Sequence, residues 1–247
     1  MFGFFKNKDK IAKDIVNNIC VDMHSHLIPK VDDGVRSLED SIFIISRLSK
    51  LGYKKLIITP HIMIDAYPNE PKKLKNKLEE LKEAVKDRGI EIDLEVAAEY
   101  YLDEGFKSHL DSEPLLINNE YILFETSYMS KPINMKELIY EISAKGFKAI
   151  FAHPERYRYI KDLKKEYEEL KSLGIYFQVD INSFGGLYGK SAKEKANFLM
   201  ESGMIDFLGS DIHKKSHLES LNNLLLENKR LFDLLFSRNK ILNKTLI

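Results

Sequence analysis

Histidines and carboxylates with the spacing of metal ligands recur along the chain. They occur in Asp22-Met23-His24-Ser25-His26, Asp32-Asp33-Gly34, Thr59-Pro60-His61, Ala97-Ala98-Glu99, Ala152-His153-Pro154-Glu155-Arg156 and Gly209-Ser210-Asp211-Ile212-His213. His24 and His26 are two apart, so on an extended strand end their rings point to one side and can share an ion as neutral nitrogen ligands. Asp211 and His213 repeat that geometry as a mixed pair, and Glu99 offers a carboxylate able to bridge two cations. Oxygen and nitrogen ligands without a thiolate suit Mn²⁺, Fe²⁺ or Zn²⁺ in a reactive centre better than a structural cysteine-zinc site. Asp32-Asp33-Gly34 reads equally as a turn, but it shares the rim with the histidines and supplies one candidate carboxylate. His109 and His217 read as ordinary surface or packing residues, and Asp180 and Asn182 as substrate-contacting or loop-capping groups.

These motifs need elements that bring them together. Seven short apolar runs alternate with helical patterns: Cys20 to Met23, Lys55 to Ile58, Ile92 to Ala97, Tyr121 to Glu125, Lys148 to Phe151, Tyr176 to Asp180 and Asp206 to Gly209. That rhythm is the signature of βα units around a mostly parallel sheet. Ser37 with Asp40 forms a capping box before a stripe of Leu38, Ile42, Ile45, Leu48 and Leu51. Pro71 opens a second helix and Gly89 closes it. Further helices are expected over Met135 to Lys145, Asp162 to Leu173, Ser191 to Ser202 and Leu218 to Phe236. Parallel α/β folds place their sites at the C-terminal ends of strands, and five of the seven histidines fall there.

The chain has 247 residues, 44% hydrophobic and 31% charged, the balance of an ordinary soluble globular protein. Lysine plus arginine and aspartate plus glutamate each number 38, so no basic excess marks a broad nucleic-acid surface. One cysteine, Cys20, excludes an intrachain disulfide and fits a reducing compartment. No run approaches the roughly 20 apolar residues of a transmembrane helix, and the start reads as no signal peptide, so a cytoplasmic protein is expected. Residues 1–19 read as an N-terminal extension with a Phe2, Phe4, Phe5 cluster, ahead of one domain over 20–247.

The strings DMHSHLIPKVDDGVRSLEDS, ITPHI, AAEYY, FAHPERY, INSFGGLYGKSAK and GSDIH, in that order, resemble the polymerase and histidinol phosphatase (PHP) superfamily. They are most similar to its CpsB/CapC branch of bacterial protein-tyrosine phosphatases associated with capsule and exopolysaccharide synthesis. The resemblance implies a distorted seven-stranded βα barrel of TIM-like type around three divalent ions, most often Mn²⁺. It implies that His24, His26, Glu99 and Asp211 hold one ion, that Glu99 bridges to a second with His153, and that Asp33, His61 and His213 hold the third. Arg156 matches a phosphate-binding arginine. A second arginine of the family has no counterpart, since Lys214, Lys215, Ser216 and His217 follow His213; Lys214 and Lys215 are the substrate-binding candidates, without a bidentate fork.

The implied activity is a phosphoric monoester hydrolase in which a metal-bridging hydroxide attacks phosphorus and Arg156 steadies the developing charge. A phosphotyrosine protein, a bacterial tyrosine kinase of polysaccharide synthesis, is the implied partner, and assembly of copies into a homo-oligomer is a further implication. Cys20 begins a strand rather than a phosphate loop, so thiolate chemistry is not expected. Competing readings are a phosphoesterase for a small metabolite such as histidinol phosphate, a nuclease-like activity, and a non-catalytic metal-containing phosphoprotein-binding regulator. A metal-dependent amidohydrolase also places His-x-His after its first strand, but builds eight βα units.

Overall fold

A computed structural model describes residues 2–247, with side chains from Asp9 onward, so the Phe2, Phe4, Phe5 cluster lies outside the described side chains. Among the described residues there are nine strands: β1 (Val21–Asp22), β2 (Lys55–Ile58), β3 (His61–Ile62), β4 (Asp93–Val96), β5 (Glu99–Tyr101), β6 (Tyr121–Glu125), β7 (Lys148–Ala152), β8 (Tyr176–Asp180) and β9 (Phe207–Gly209). Every pairing is parallel, in a three-stranded sheet β1-β2-β4 and a six-stranded sheet β3-β5-β6-β7-β8-β9.

Seven runs are expected as strands, and the family resemblance implies that they form one barrel; the strand count is different because the second run has a sequel and the third is interrupted. Pro60, which has no N–H to give a ladder, separates β2 from β3. Beside it, Ala97 and Ala98 separate β4 from β5, and Glu99 N–H donates to the Pro60 carbonyl at 3.1 Å. Past the strand ends, Ser25 forms a parallel bridge with Ile212, and His26 N–H donates to the Ile212 carbonyl at 3.0 Å. Val21, Ile57, Leu123, Ile150 and Phe207, from strands of both sheets, pack in one buried cluster.

The described residues also form ten α-helices: α1 (Phe2–Ile19), α2 (Leu38–Leu51), α3 (Pro71–Asp87), α4 (Phe106–Asp111), α5 (Met135–Ala144), α6 (Leu163–Ser172), α7 (Ile181–Gly185), α8 (Lys190–Glu201), α9 (Lys215–Glu227) and α10 (Lys229–Arg238). Ser37 caps α2 by accepting from Asp40 N–H at 3.1 Å. The single helix expected over Leu218 to Phe236 is two helices, broken at Asn228, whose side-chain amide donates to the Leu224 carbonyl at 3.2 Å. The expected N-terminal extension is helix α1, packed against α2, α9 and α10. Its Ala12, Ile15, Val16 and Ile19 recur at helical spacing and are buried in the main core. Full burial of each larger aliphatic side chain stabilises by roughly 1.5–3 kcal/mol, so α1 belongs to the folded unit.

Candidate metal centre

The strand ends deliver their side chains to one buried cluster. His24 and His26 follow β1, His61 starts β3, Glu99 starts β5, Glu125 ends β6, His153 follows β7, and Asp211 and His213 follow β9. His24 Nε2 lies 3.2 Å from Glu99 Oε2 and 3.3 Å from Asp211 Oδ1, and His26 Nε2 is also 3.3 Å from Asp211 Oδ1. His153 Nε2 is 2.9 Å from Glu99 Oε1. His61 Nδ1 sits 3.2 Å from Glu99 Oε2 and 3.1 Å from Glu125 Oε1, while its Nε2 is 3.4 Å from Asp33 Oδ1. His213 Nε2 is 3.4 Å from the same Asp33 oxygen.

Local sequence explains the close packing. A Cβ on Gly34 would lie 2.3 Å from the His26 carbonyl, and one on Gly209 would lie 2.8 Å from His24 Cβ, so both positions must stay bare. His153 and Asp211 adopt left-handed backbone at φ 35° and 46°, conformations that cost about 1–3 kcal/mol each and turn these side chains inward.

A second layer sets the imidazoles. Asp32 Oδ2 accepts from His26 Nδ1 at 2.7 Å, and Gln178 Oε1 accepts from His24 Nδ1 at 2.8 Å. Each bond keeps the proton on Nδ1 and leaves the Nε2 lone pair facing the cluster, the arrangement that supports metal-bound histidine. Asp32 and Asp33 therefore differ in role: Asp32 braces His26, whereas Asp33 joins His61 and His213.

Four overlapping groups offer ligand atoms within 4.8 Å of one another: His24, His26 and Asp211; His24, Glu99 and His153; His61, Glu99 and Glu125; and His26, Asp33, His61 and His213. Ligands held about 2.1 Å from one ion lie about 3–3.4 Å apart, the separations found here. Buried Asp211 Oδ1 and His61 Nδ1 have no hydrogen-bond partner within the chain. These donors fit divalent cations. In the chain alone, protons meet the demand for positive charge. Burial opposes protonation of His24, yet the charges of Glu99 and Asp211 outweigh it and push the imidazole up to about 9. Likewise burial opposes protonation of His61, but Glu99 raises it to about 10. Burial by itself would raise Glu99; the facing His24 and His61 hold it well below the usual carboxylate range.

Arg156, in the 3₁₀ turn Pro154–Arg156, stands at the edge of the cluster. Its Nη1 donates to Asp211 Oδ2 at 2.6 Å and to Asp180 Oδ2 at 3.3 Å. The guanidinium lies 4.8 Å from the Tyr128 ring and 4.1 Å from the Tyr188 ring, and Tyr188 Oη donates to Asp211 Oδ2 at 3.3 Å. Lys215 instead turns to Asp40, 2.5 Å away, and lies over Phe43. Lys214 precedes α9 and lines a cavity with Asp33, His213 and Arg36, an exposed guanidinium in the first βα loop.

Other sequence readings resolve locally. His217 is half-buried beside His213, whereas His109 lies in α4 against Tyr100. Asn182 donates to the His217 carbonyl. The Cys20 thiol donates to the Asn17 carbonyl in the turn after α1. Glu125, Gln178, Tyr128, Tyr188 and Arg36 were not singled out by sequence reasoning. Glu125 ends a predicted strand and was open to the same strand-end argument; Gln178 lies inside one and carried no such signal.

Imidazoles and carboxylates converging at parallel strand ends, with a clamped arginine beside them, define an α/β protein equipped for hydrolytic chemistry on an anionic group. Residues 20–221 match the family described as capsular polysaccharide synthesis, CpsB/CapC, and the chain belongs to that family. It is 29% identical over 195 residues to the tyrosine-protein phosphatase YwqE of Bacillus subtilis, covering 78% of this chain and 77% of YwqE. It is 26% identical over 201 residues to the tyrosine-protein phosphatase CpsB of Streptococcus pneumoniae, covering 78% and 82%. Among solved structures, one from the YwqE and CpsB set, described as unique metal-dependent tyrosine phosphatases, matches with a TM-score of 0.75. That match has 27% identity and covers 90% of this chain and 96% of the other.

Proposed function

We propose that the protein is a metal-dependent protein-tyrosine phosphatase, a phosphoric monoester hydrolase acting in capsule or exopolysaccharide synthesis. The observation that carries this reading is Asp211: one oxygen faces His24 and His26 without a hydrogen bond, and the other receives Arg156. A cation site and a phosphate-binding guanidinium thereby share one carboxylate. His24, His26 and Asp211 would hold one ion, Glu99 would join it to a second with His153, and Asp33, His61 and His213 would hold a third. Glu125 stands against His61 as an added ligand candidate. Mn²⁺ suits this oxygen and nitrogen donor set. Bound divalent ions would neutralise phosphoryl oxygens and activate the attacking water.

The chain's own residues do the rest. Arg156, held by Asp211 and Asp180 between two tyrosine rings, presents its guanidinium at a fixed angle to a phosphoryl group. Asp32 and Gln178 hold protons on the far nitrogens of His26 and His24. A tyrosyl leaving group, with an unperturbed pKa near 10, departs with less help than an alkyl alkoxide, which favours aryl phosphates. The parallel bridge of Ser25 to Ile212 and the shared inner cluster support a reading of both sheets as one distorted, TIM-like barrel. The expected partner is a phosphotyrosine protein, such as a bacterial tyrosine kinase of polysaccharide synthesis, in the cytoplasm. No described helix is long and apolar enough to cross a membrane.

The test is a substrate panel with Mn²⁺: a phosphotyrosine peptide, a phosphoserine peptide, histidinol phosphate and a sugar phosphate. Preferred turnover of the phosphotyrosine peptide is expected. Preference for histidinol phosphate, or binding of the phosphopeptide without turnover, contradicts the reading.

A further inference from the structure

We propose that the cavity beside Arg156 is a binding subsite for acidic residues flanking the phosphotyrosine of the substrate chain. The proposal rests on the phosphatase reading above and adds a substrate class to it. The cavity, about 630 Å³, starts at Arg156 and Tyr188, the pair that contacts Asp211, and runs out past Arg158, Lys161, Lys190 and Lys195. One carboxylate, Glu194, shares the lining, and Glu166 stands near it. Glu194 lies 3.7 Å from Lys190, and Glu166 accepts the backbone N–H groups of Lys161 and Asp162. Among the described residues, Arg158, Lys161 and Lys195 have no ion pair with any carboxylate.

Lys195 is the telling member. It is only 8% exposed, and its ammonium donates to the Tyr157 carbonyl at 2.5 Å. A buried ammonium without a carboxylate in direct contact is costly, and that cost falls when an anion enters the adjoining space. Burial and the nearby Lys161 charge lower the affinity of Lys195 for its proton by more than the charges of Glu166 and Glu155 raise it. The local excess is not a reflection of a basic protein, because the whole chain has equal numbers of both signs. A peptide extends about 3.3 Å per residue, so carboxylates flanking a phosphotyrosine at Arg156 would fall along the cavity that Arg158, Lys161 and Lys195 line with it. Ile160 and Leu163 in the same wall take the aliphatic stems of those side chains.

The experiment compares a phosphotyrosine peptide flanked by glutamates with the same peptide carrying glutamines, using the Mn²⁺-loaded full chain and p-nitrophenyl phosphate as control. The glutamate peptide is expected to have at least about a fivefold higher kcat/KM, through KM, with the advantage shrinking as salt is raised. The exposed double variant Arg158→Ala, Lys161→Ala should bring the ratio close to one while leaving p-nitrophenyl phosphate hydrolysis unchanged. Lys195→Met would add to this but disturbs a buried hydrogen bond, so the exposed pair carries the test. Equal turnover of the two peptides with intact control hydrolysis overturns the subsite alone, as does an acidic preference that survives in the double variant. No control hydrolysis overturns the phosphatase reading and the subsite with it.

Discussion

Two sets of buried polar side chains lie at opposite ends of the strands and are treated in opposite ways. At the starting ends of β1 and β9, Asn243 accepts from Leu208 N–H at 2.9 Å and donates to the carbonyls of Val21 and Leu208 at 2.9 and 2.7 Å. Nearby, Asn239 accepts from Ile205 N–H and donates to the carbonyls of Met200 and Leu235. Every polar atom of both amides is used. At the C-terminal ends, carboxylates crowd imidazoles, Asp211 Oδ1 has no hydrogen bond, and two residues take left-handed backbone. The two asparagines are satisfied within the chain. The clustered carboxylates and imidazoles leave buried atoms open, as a candidate cation site does.

The comparison breaks most sharply at Glu99, which touches His24, His61 and His153. Glu99→Gln should lower bound Mn²⁺ by elemental analysis and reduce kcat for a phosphotyrosine peptide by at least about a hundredfold, with the fold retained by circular dichroism. Asn243→Leu should do the reverse. Leaving Leu208 N–H and two carbonyls unpaired costs about 3 kcal/mol in a denaturant titration, while metal content per folded molecule stays the same.

Arg156→Lys sharpens the boundary between the metal ligands and the anion contact. Lysine keeps the charge but loses the planar fork, so KM should rise about tenfold in steady-state kinetics while bound metal is unchanged. Loss of metal in that variant would reassign Arg156 from substrate contact to support of Asp211.

The most gradual effect concerns Glu155, whose Oε1 accepts from Asp180 N–H and the Ser183 hydroxyl inside the fold. Burial, reinforced by the Asp180 charge, raises its pKa from 4.5 to about 8. Between these values the folded chain keeps a proton that the unfolded chain has released. Stability from this residue is therefore present below the lower value and declines as pH rises through the window. Glu155→Gln should remove a slope on the order of 1 kcal/mol per pH unit from the stability profile measured by denaturation between pH 5 and 8.

How far the sequence could be read depended on whether a residue announced itself against its neighbours. His24, His26, Asp211 and His213 did so because a two-residue spacing after an apolar run has few structural uses. Glu125 stood in the same position, but it had no second ligand beside it in sequence, and only the fold brings His61 within 3.1 Å. Gln178 and Tyr188 act through distant partners, so their roles depend on tertiary packing. The short β3 after Pro60 lies beyond the run that ends at Ile58, and the break at Ala97 and Ala98 follows from register with its neighbour. The stripe of Ala12, Ile15, Val16 and Ile19 was equally readable, and it makes α1 part of the core rather than a tail.

The most direct test removes the cations and returns them. Protein stripped with a chelator and dialysed should show no hydrolysis of a phosphotyrosine peptide. Activity should return on titration with Mn²⁺, levelling off as more than one ion binds per chain. Full hydrolysis by the stripped protein, or Mn²⁺ binding that restores none, would contradict the account.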